Sequence, residues 1–165
     1  MILCMSVHTF TVLHVVISLL GILSGAVVLS GMLGSRRLER WTHLFLATTM
    51  LTSVTGFFFP SDRILPSHVV GVVSLVVLVV AILALYANRL AGAWRWIYVT
   101  SAILALYLNV FVAVVQAFLK IAFLNALAPT QSEPPFLIAQ LVVVVLFIAL
   151  GIVAVRSFHP EVNAF

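Results

Sequence analysis

Long apolar runs separated by short polar segments are the feature that most constrains this chain. The runs cover residues 9–33, 42–59, 67–88, 96–119 and 136–157. A helix needs about 20 apolar residues to cross the hydrocarbon of a bilayer, and it satisfies its own backbone polar groups there. The sequence therefore predicts an all-α transmembrane bundle of five helices, which forms one integral membrane domain over residues 1–165.

Composition excludes a soluble fold. Of the 165 residues, 64% are hydrophobic and 7% are charged, whereas a soluble domain carries about 25% charged residues. The net charge of +4 comes from basic residues between the apolar runs, where they orient helices. We therefore expect the lipid bilayer as a partner, and no nucleic acid. The single cysteine, Cys4, excludes an intrachain disulfide and a cysteine-based metal cluster.

Basic charge alternates along the segments between the runs. Six arginines flank one end of the runs (Arg36, Arg37, Arg40, Arg89, Arg95 and Arg156), and Arg63 and Lys120 flank the other. Cytoplasmic segments carry the excess of Lys and Arg, so the N-terminus is predicted outside and the C-terminus in the cytoplasm. The three tryptophans fall at the arginine-rich end, which is typical of an interfacial belt.

The second run, LFLATTMLTSVTGFFFP, is apolar yet rich in hydroxyl groups. Its hydroxyls are Thr48, Thr49, Thr52, Ser53 and Thr55. At 100° per residue they share a sector of about 160°. Ser and Thr bond across helices or back to the carbonyl four residues earlier. We expect this hydroxyl face to be a packing surface inside the bundle.

Each run also places a polar side chain in the predicted outer half of the membrane. These side chains are His14, Thr52, Thr55, His68, Gln116 and Gln140, and Asn109 lies nearer the middle. Counted at 1.5 Å per residue, the histidines and glutamines lie about 10–14 Å from the midplane. One hypothesis is a pocket formed by Thr52, Thr55, Asn109, Gln116 and Gln140 that binds or transports a small molecule, a quinone or a lipid.

A second hypothesis assigns His14 and His68 as axial ligands of haem b, in an electron-transfer protein. Haem iron takes its axial ligands from rigid elements on either side of the macrocycle. The alternative is that both histidines are structural or interfacial. No Asp, Glu or Cys accompanies the histidines in the runs, so no other metal site is expected.

The absent motifs favour a protein that is not an enzyme. All four acidic residues lie between or beyond the runs, which disfavours a carboxylate-based proton pump. Neither G-x-S-x-G nor H-E-x-x-H occurs. The main expectation is a non-enzymatic subunit or helix-packing component of a membrane assembly, or a protein that self-associates.

The segments FLATTMLTSVTGFFFP, ILPSHVVG and LAPTQSEPPF together resemble those of an uncharacterised family of small multi-pass inner-membrane proteins from proteobacteria. The resemblance covers almost the whole chain. It implies a location in the bacterial inner membrane, and it implies no catalytic residue, cofactor or substrate.

Overall fold

A computed structural model describes residues 5–59 and 66–160 of the chain. Its helices are α1 (Val7–Leu33), α2 (Glu39–Gly56), α3 (Pro66–Ile82), α4 (Trp94–Lys120), α5 (Ala122–Leu127) and α6 (Pro134–Ser157), and α3 continues as a π-helical turn at Leu83–Ala87. The described part is all-helical, as predicted. When the π-helical turn is counted with α3, each predicted run matches a long helix to within three residues at either end. Cys4 and Arg63 lie outside the described residues.

Within the described residues, four helices are long and apolar enough to cross a membrane. They are α1, α3 with its π-helical turn, α4 and α6. The chain is therefore a multi-pass membrane protein. Helix α2 has 18 residues but is less apolar, because Glu39 and Arg40 occupy its first turn and the hydroxyl face occupies its centre.

The helix ends carry local signals that explain their positions. The Ser6 hydroxyl accepts a hydrogen bond from the Thr9 amide at 3.1 Å and caps α1. Proline occupies the first position of α3 and of α6, where its missing amide hydrogen is not needed. The chain leaves helical geometry at Ile121, so α5 is a separate short helix before Pro129.

Consecutive long helices run in opposite directions. The start of α1 lies beside the end of α2, where His14 bonds to Thr55. The start of α3 lies at the same end, where Gly71 contacts the ring of Phe57. The start of α4 lies beside the segment that follows α6, where Arg95 donates to the Phe158 carbonyl. Helices α1 and α3 are therefore parallel to each other and antiparallel to α2.

Helices α1 to α4 form a closed ring in which each packs against the next and α4 packs back against α1. Helix α6 lies outside this ring, mainly against α4 and at the edge of α1. Among the glycines of the described residues, Gly25 has the nearest neighbours: a Cβ there would lie 2.6 Å from Leu106 Cδ1 and 2.8 Å from the Phe45 ring. A larger residue at position 25 cannot fit without displacing these side chains.

The segment after α6 closes the arginine-rich end of the bundle. Phe158 is 1% exposed and packs against Tyr98. The His159 amide donates to the Ser35 hydroxyl at 2.9 Å, which ties this segment to the turn between α1 and α2. The C-terminal end of α6 is thereby held against α1 and α4.

Candidate functional site

The hydroxyl face of α2 is its buried face. Thr48, Thr49 and Ser53 are buried, whereas Leu51 and Val54 on the opposite side are exposed. The Thr48 hydroxyl donates to the Leu44 carbonyl at 2.7 Å, and the Ser53 hydroxyl donates to the Thr49 carbonyl at 2.9 Å. Several of these hydroxyls therefore donate hydrogen bonds to carbonyls of their own helix. The face that remains is compact and can pack closely against neighbouring helices.

A buried polar contact joins three helices near the middle of the bundle. Asn109 of α4 donates from Nδ2 to the Thr49 hydroxyl of α2 at 3.0 Å. A Cβ at Gly21 of α1 would lie 3.4 Å from Asn109 Nδ2 and 3.4 Å from the hydroxyls of Thr48 and Thr49. Glycine at position 21 lets α1 approach closely enough to cover the contact and exclude lipid.

His14 is held against the end of α2. Its Nδ1 lies 2.8 Å from the Thr55 hydroxyl, and its ring meets the Phe59 ring edge to face at 5.1 Å. Thr55 also donates to the Leu51 carbonyl at 2.7 Å. The His14 side chain is thus oriented by Thr55 and Phe59 at the end of α2.

His68 contacts the residue that directly follows the same helix. Its ring stacks on Phe57 at 5.7 Å between ring centres. Thr55 lies in the last turn of α2, and Phe57 comes immediately after the helix ends at Gly56. His14 of α1 and His68 of α3 therefore contact different residues at the same end of α2.

The remaining predicted pocket residues differ in burial and in their hydrogen bonds. Gln140 of α6 donates to the Phe111 carbonyl of α4 at 3.3 Å, and its buried Oε1 has no hydrogen-bond partner among the described residues. The Thr52 hydroxyl on α2 is likewise buried without a partner in that part of the chain. Gln116 is exposed, although it lies on the same α4 stripe as buried Asn109.

One contact near the arginine-rich end was not predicted. The rings of His43 in α2 and Tyr86 in the π-helical turn stack at 5.8 Å and 10°. They line an open hollow of about 200 Å³ with Leu46, Ala47, Met50 and Ile82. In the sequence, His43 falls on the apolar side of its helix, close to one end. This position predicts a side chain that extends to the membrane–water interface. The sequence LALYA does not indicate the π-helical turn that places Tyr86 opposite His43.

A larger groove lies between α4 and α6. It has a volume of about 490 Å³ and is lined mainly by aliphatic and aromatic side chains, with Thr100, Tyr107 and Arg156 as its polar members. Gly151 lines it on α6. The facing residues of α4 were not predicted, because helix order cannot be read from single-helix periodicity.

No other metal centre is indicated in residues 5–59 and 66–160. No three His, Cys, Asp or Glu side chains lie close enough there to share a metal ion. The chain matches no protein-family model, no curated protein and no solved structure. Function is therefore inferred from the contacts between the helices.

Proposed function

We propose that the protein is a non-enzymatic component of a membrane assembly in the bacterial inner membrane, as a subunit or as a self-associating protein. The observation that carries this proposal is the internal use of its polar groups. Asn109 bonds to Thr49 and His14 bonds to Thr55 inside the ring of helices. Polar groups that are paired with each other hold helices together in lipid and are poorly placed to bind a substrate. The location follows the resemblance to proteobacterial inner-membrane proteins.

The outer surface suits association with other membrane helices. Exposed valines form a stripe along α3 (Val69, Val72, Val73, Val76 and Val79). On α6, a comparable exposed face includes Ile138, Val142, Val145 and Val153. β-Branched side chains have restricted rotamers, so they lose little entropy when a partner helix packs on them. Both faces extend along most of their helices and offer long contacts.

We further propose five membrane crossings. Helices α1 and α3 run in the same direction, and each is long and apolar enough to span the bilayer. If both cross, the chain between them must return to the starting side. Helix α2 is antiparallel to both and lies in that connection. Its 18 residues extend about 27 Å, close to the roughly 30 Å of bilayer hydrocarbon.

The orientation that we propose has the N-terminus outside and the C-terminus in the cytoplasm. All six arginines of the predicted cytoplasmic side lie at the end of the bundle where α1, α3 and α6 end and α2 and α4 begin. At the other end, the described residues carry Lys120 as their basic side chain. The positive-inside rule places the arginine-rich end in the cytoplasm.

Extraction in a gentle detergent tests the association. We expect the tagged protein to elute with a second membrane protein or as a homo-oligomer by light scattering. Single cysteines at Val76 and Val145, in a Cys4→Ser background, should form cross-links at one of the two exposed faces. Leu106→Cys, at a buried position, is the control that should not cross-link. A monomer without cross-links in native membranes would refute the proposal.

Accessibility labelling tests the topology. A cysteine at Ser35, in the turn between α1 and α2, should react with a membrane-impermeant reagent only after the cells are opened. A cysteine at Ser132, between α5 and α6, should react in intact cells. The reverse pattern would invert the orientation. Reaction of both from outside would mean that α2 and its neighbours do not cross as proposed.

A further inference from the structure

The groove between α4 and α6 has the length of one lipid leaflet. It is lined on α6 from Val144 to Arg156 and on α4 from Thr100 to Tyr107. Twelve steps along α6 correspond to about 18 Å, compared with roughly 15 Å for half of the bilayer hydrocarbon. A partner helix that crosses the membrane would need about 30 Å of contact. The dimensions of the groove therefore fit an acyl chain better than a second transmembrane helix.

The groove opens at the arginine-rich end of the bundle. Arg95 of α4 contacts Phe158, so the first turn of α4 lies level with the end of α6. Arg156 lines the groove two residues before Phe158 and is therefore at its mouth. Trp96 is 49% exposed and lies one turn before Thr100 on the same face of α4, a position that suits an interfacial aromatic residue.

Arg156 is an exposed cation without a counter-ion in the described part of the chain. The one ion pair found there joins Arg37 and Glu39, at the start of α2. A guanidinium presents paired donors that match phosphate oxygens, and basic sites between helices on the cytoplasmic side attract anionic lipid headgroups. The mouth of the groove therefore combines an apolar channel with an exposed positive charge.

We propose that this groove binds an anionic phospholipid of the leaflet at the arginine-rich end. One acyl chain lies between α4 and α6, along Ile103 and Gly151, and the phosphate contacts Arg156. This site does not rest on the proposed assembly function, because its occupant is a lipid and its Gly151 faces Ile103 of α4.

Native mass spectrometry of the purified full chain tests the site. The probes are phosphatidylglycerol and phosphatidylcholine with identical acyl chains. We expect phosphatidylglycerol to bind more tightly, and Arg156→Gln to weaken it about five-fold, the factor that corresponds to about 1 kcal/mol per basic residue at a membrane surface. Arg40→Gln removes an exposed arginine at the same end but outside the groove, and it should leave the affinity unchanged.

Groove-filling variants test the acyl-chain contact. Gly151→Leu should reduce binding of both lipids, and Gly151→Ala serves as its folding control, because a Cβ at this position would lie 3.8 Å from Ile103 Cγ2. If Gly151→Leu does not fold, Ile152→Trp at the exposed lip of the groove provides the same test.

Several results would overturn the proposal. Equal affinity for the two lipids, or equal losses in Arg156→Gln and Arg40→Gln, would exclude a specific headgroup contact. Unchanged binding in a folded groove-filling variant would exclude the groove. Complete displacement of the lipid by inorganic phosphate would indicate a free-phosphate site. A cysteine at Gly151 that cross-links to another protein chain would indicate a partner helix instead.

Discussion

Helices α2 and α6 are opposites in composition and in position. Helix α2 is the least apolar of the long helices, and Thr48, Thr49 and Ser53 are among its buried residues. Helix α6 has 24 residues and one of the highest hydropathies, yet only Phe136 and Ala154 are buried in it. In water the more apolar helix would be the buried one.

The difference follows from the solvent. Lipid tails are as apolar as leucine, so burying aliphatic side chains between helices contributes little to association. Hydroxyl and amide groups have no partners in lipid and are satisfied inside the protein. Small residues add to this effect by allowing close approach. The helix with the weakest apolar signal is therefore one of the four that form the ring.

Matched glycine substitutions give the largest expected difference between the two regions. Gly25→Ala would place a Cβ 2.6 Å from Leu106 Cδ1 and 2.8 Å from the buried Phe45 ring. We expect a loss of about 1–3 kcal/mol in the free energy of unfolding. Gly151→Ala meets only ordinary contact at 3.8 Å, so helix propensity should make it neutral or slightly stabilising.

Thermal unfolding in one detergent measures both variants. Equal destabilisation by the two substitutions would mean that α6 packs as tightly as α1 and α2, and the contrast between the regions would not hold.

Matched amide substitutions should have the next largest effect. Asn109→Leu removes the bond to Thr49, and we expect it to cost about 1 kcal/mol, within the range measured for hydrogen bonds between membrane helices. Gln140→Leu removes a longer bond together with an unpartnered oxygen, so its effect should be close to zero.

Chemical unfolding of both variants provides the comparison, and adding Thr49→Val to Asn109→Leu isolates the coupling between the two side chains. A large loss in Gln140→Leu would show that the amide of α6 has an essential partner. The pocket hypothesis for Gln140 would then gain support.

The two histidines lie on different helices near the end of α2. Because they contact different residues, Thr55 and Phe57, the effects of His14→Ala and His68→Ala on stability should add to within about 0.5 kcal/mol. Thr55→Val removes the acceptor or donor of His14 and is the control that should couple to His14→Ala.

Absorption spectra of the same preparations, with and without dithionite, test the haem hypothesis. A Soret band that disappears in both single histidine variants, together with non-additive stabilities, would show that the two rings share one ligand. A colourless preparation from haem-replete cells would contradict the haem hypothesis.

The smallest effect is expected at the start of α6, where lowering the pH acts on Glu133. Desolvation alone would raise its pKa, but hydrogen bonds from Thr130 and Ser132 outweigh it and lower the pKa below 4.5. The contribution of these bonds is present above the usual glutamate pKa and is lost as the pH falls through the lowered value.

The protection of the Thr130 and Ser132 amides, measured against the intrinsic exchange rate at each pH, should fall in that acid range, while protection in α2 stays unchanged. Glu133→Gln is the control, because protection at these amides should then not depend on pH in that range. Lack of protection at neutral pH would mean that the carboxylate does not hold this turn.

The sequence by itself determined the helices and their faces. Apolar run length sets where a helix can cross, and the 100° repeat places the α2 hydroxyls on one side, so the long helices and the buried face of α2 were both predictable. The sequence also allowed His14 and Thr55 to be placed at a similar depth, because depth can be counted along each helix from its centre.

Tertiary structure alone decided which helices are neighbours. Asn109 and Gln116 share one stripe of α4, but Asn109 lies against α2 and Gln116 is exposed. His14 and His68 are predicted at similar depths, but His14 bonds to Thr55 of α2 and His68 stacks on Phe57 after that helix. Aliphatic helices in lipid have nearly uniform surfaces, so their order depends on a few close contacts such as the one at Gly25, and those depend on all the helices at once.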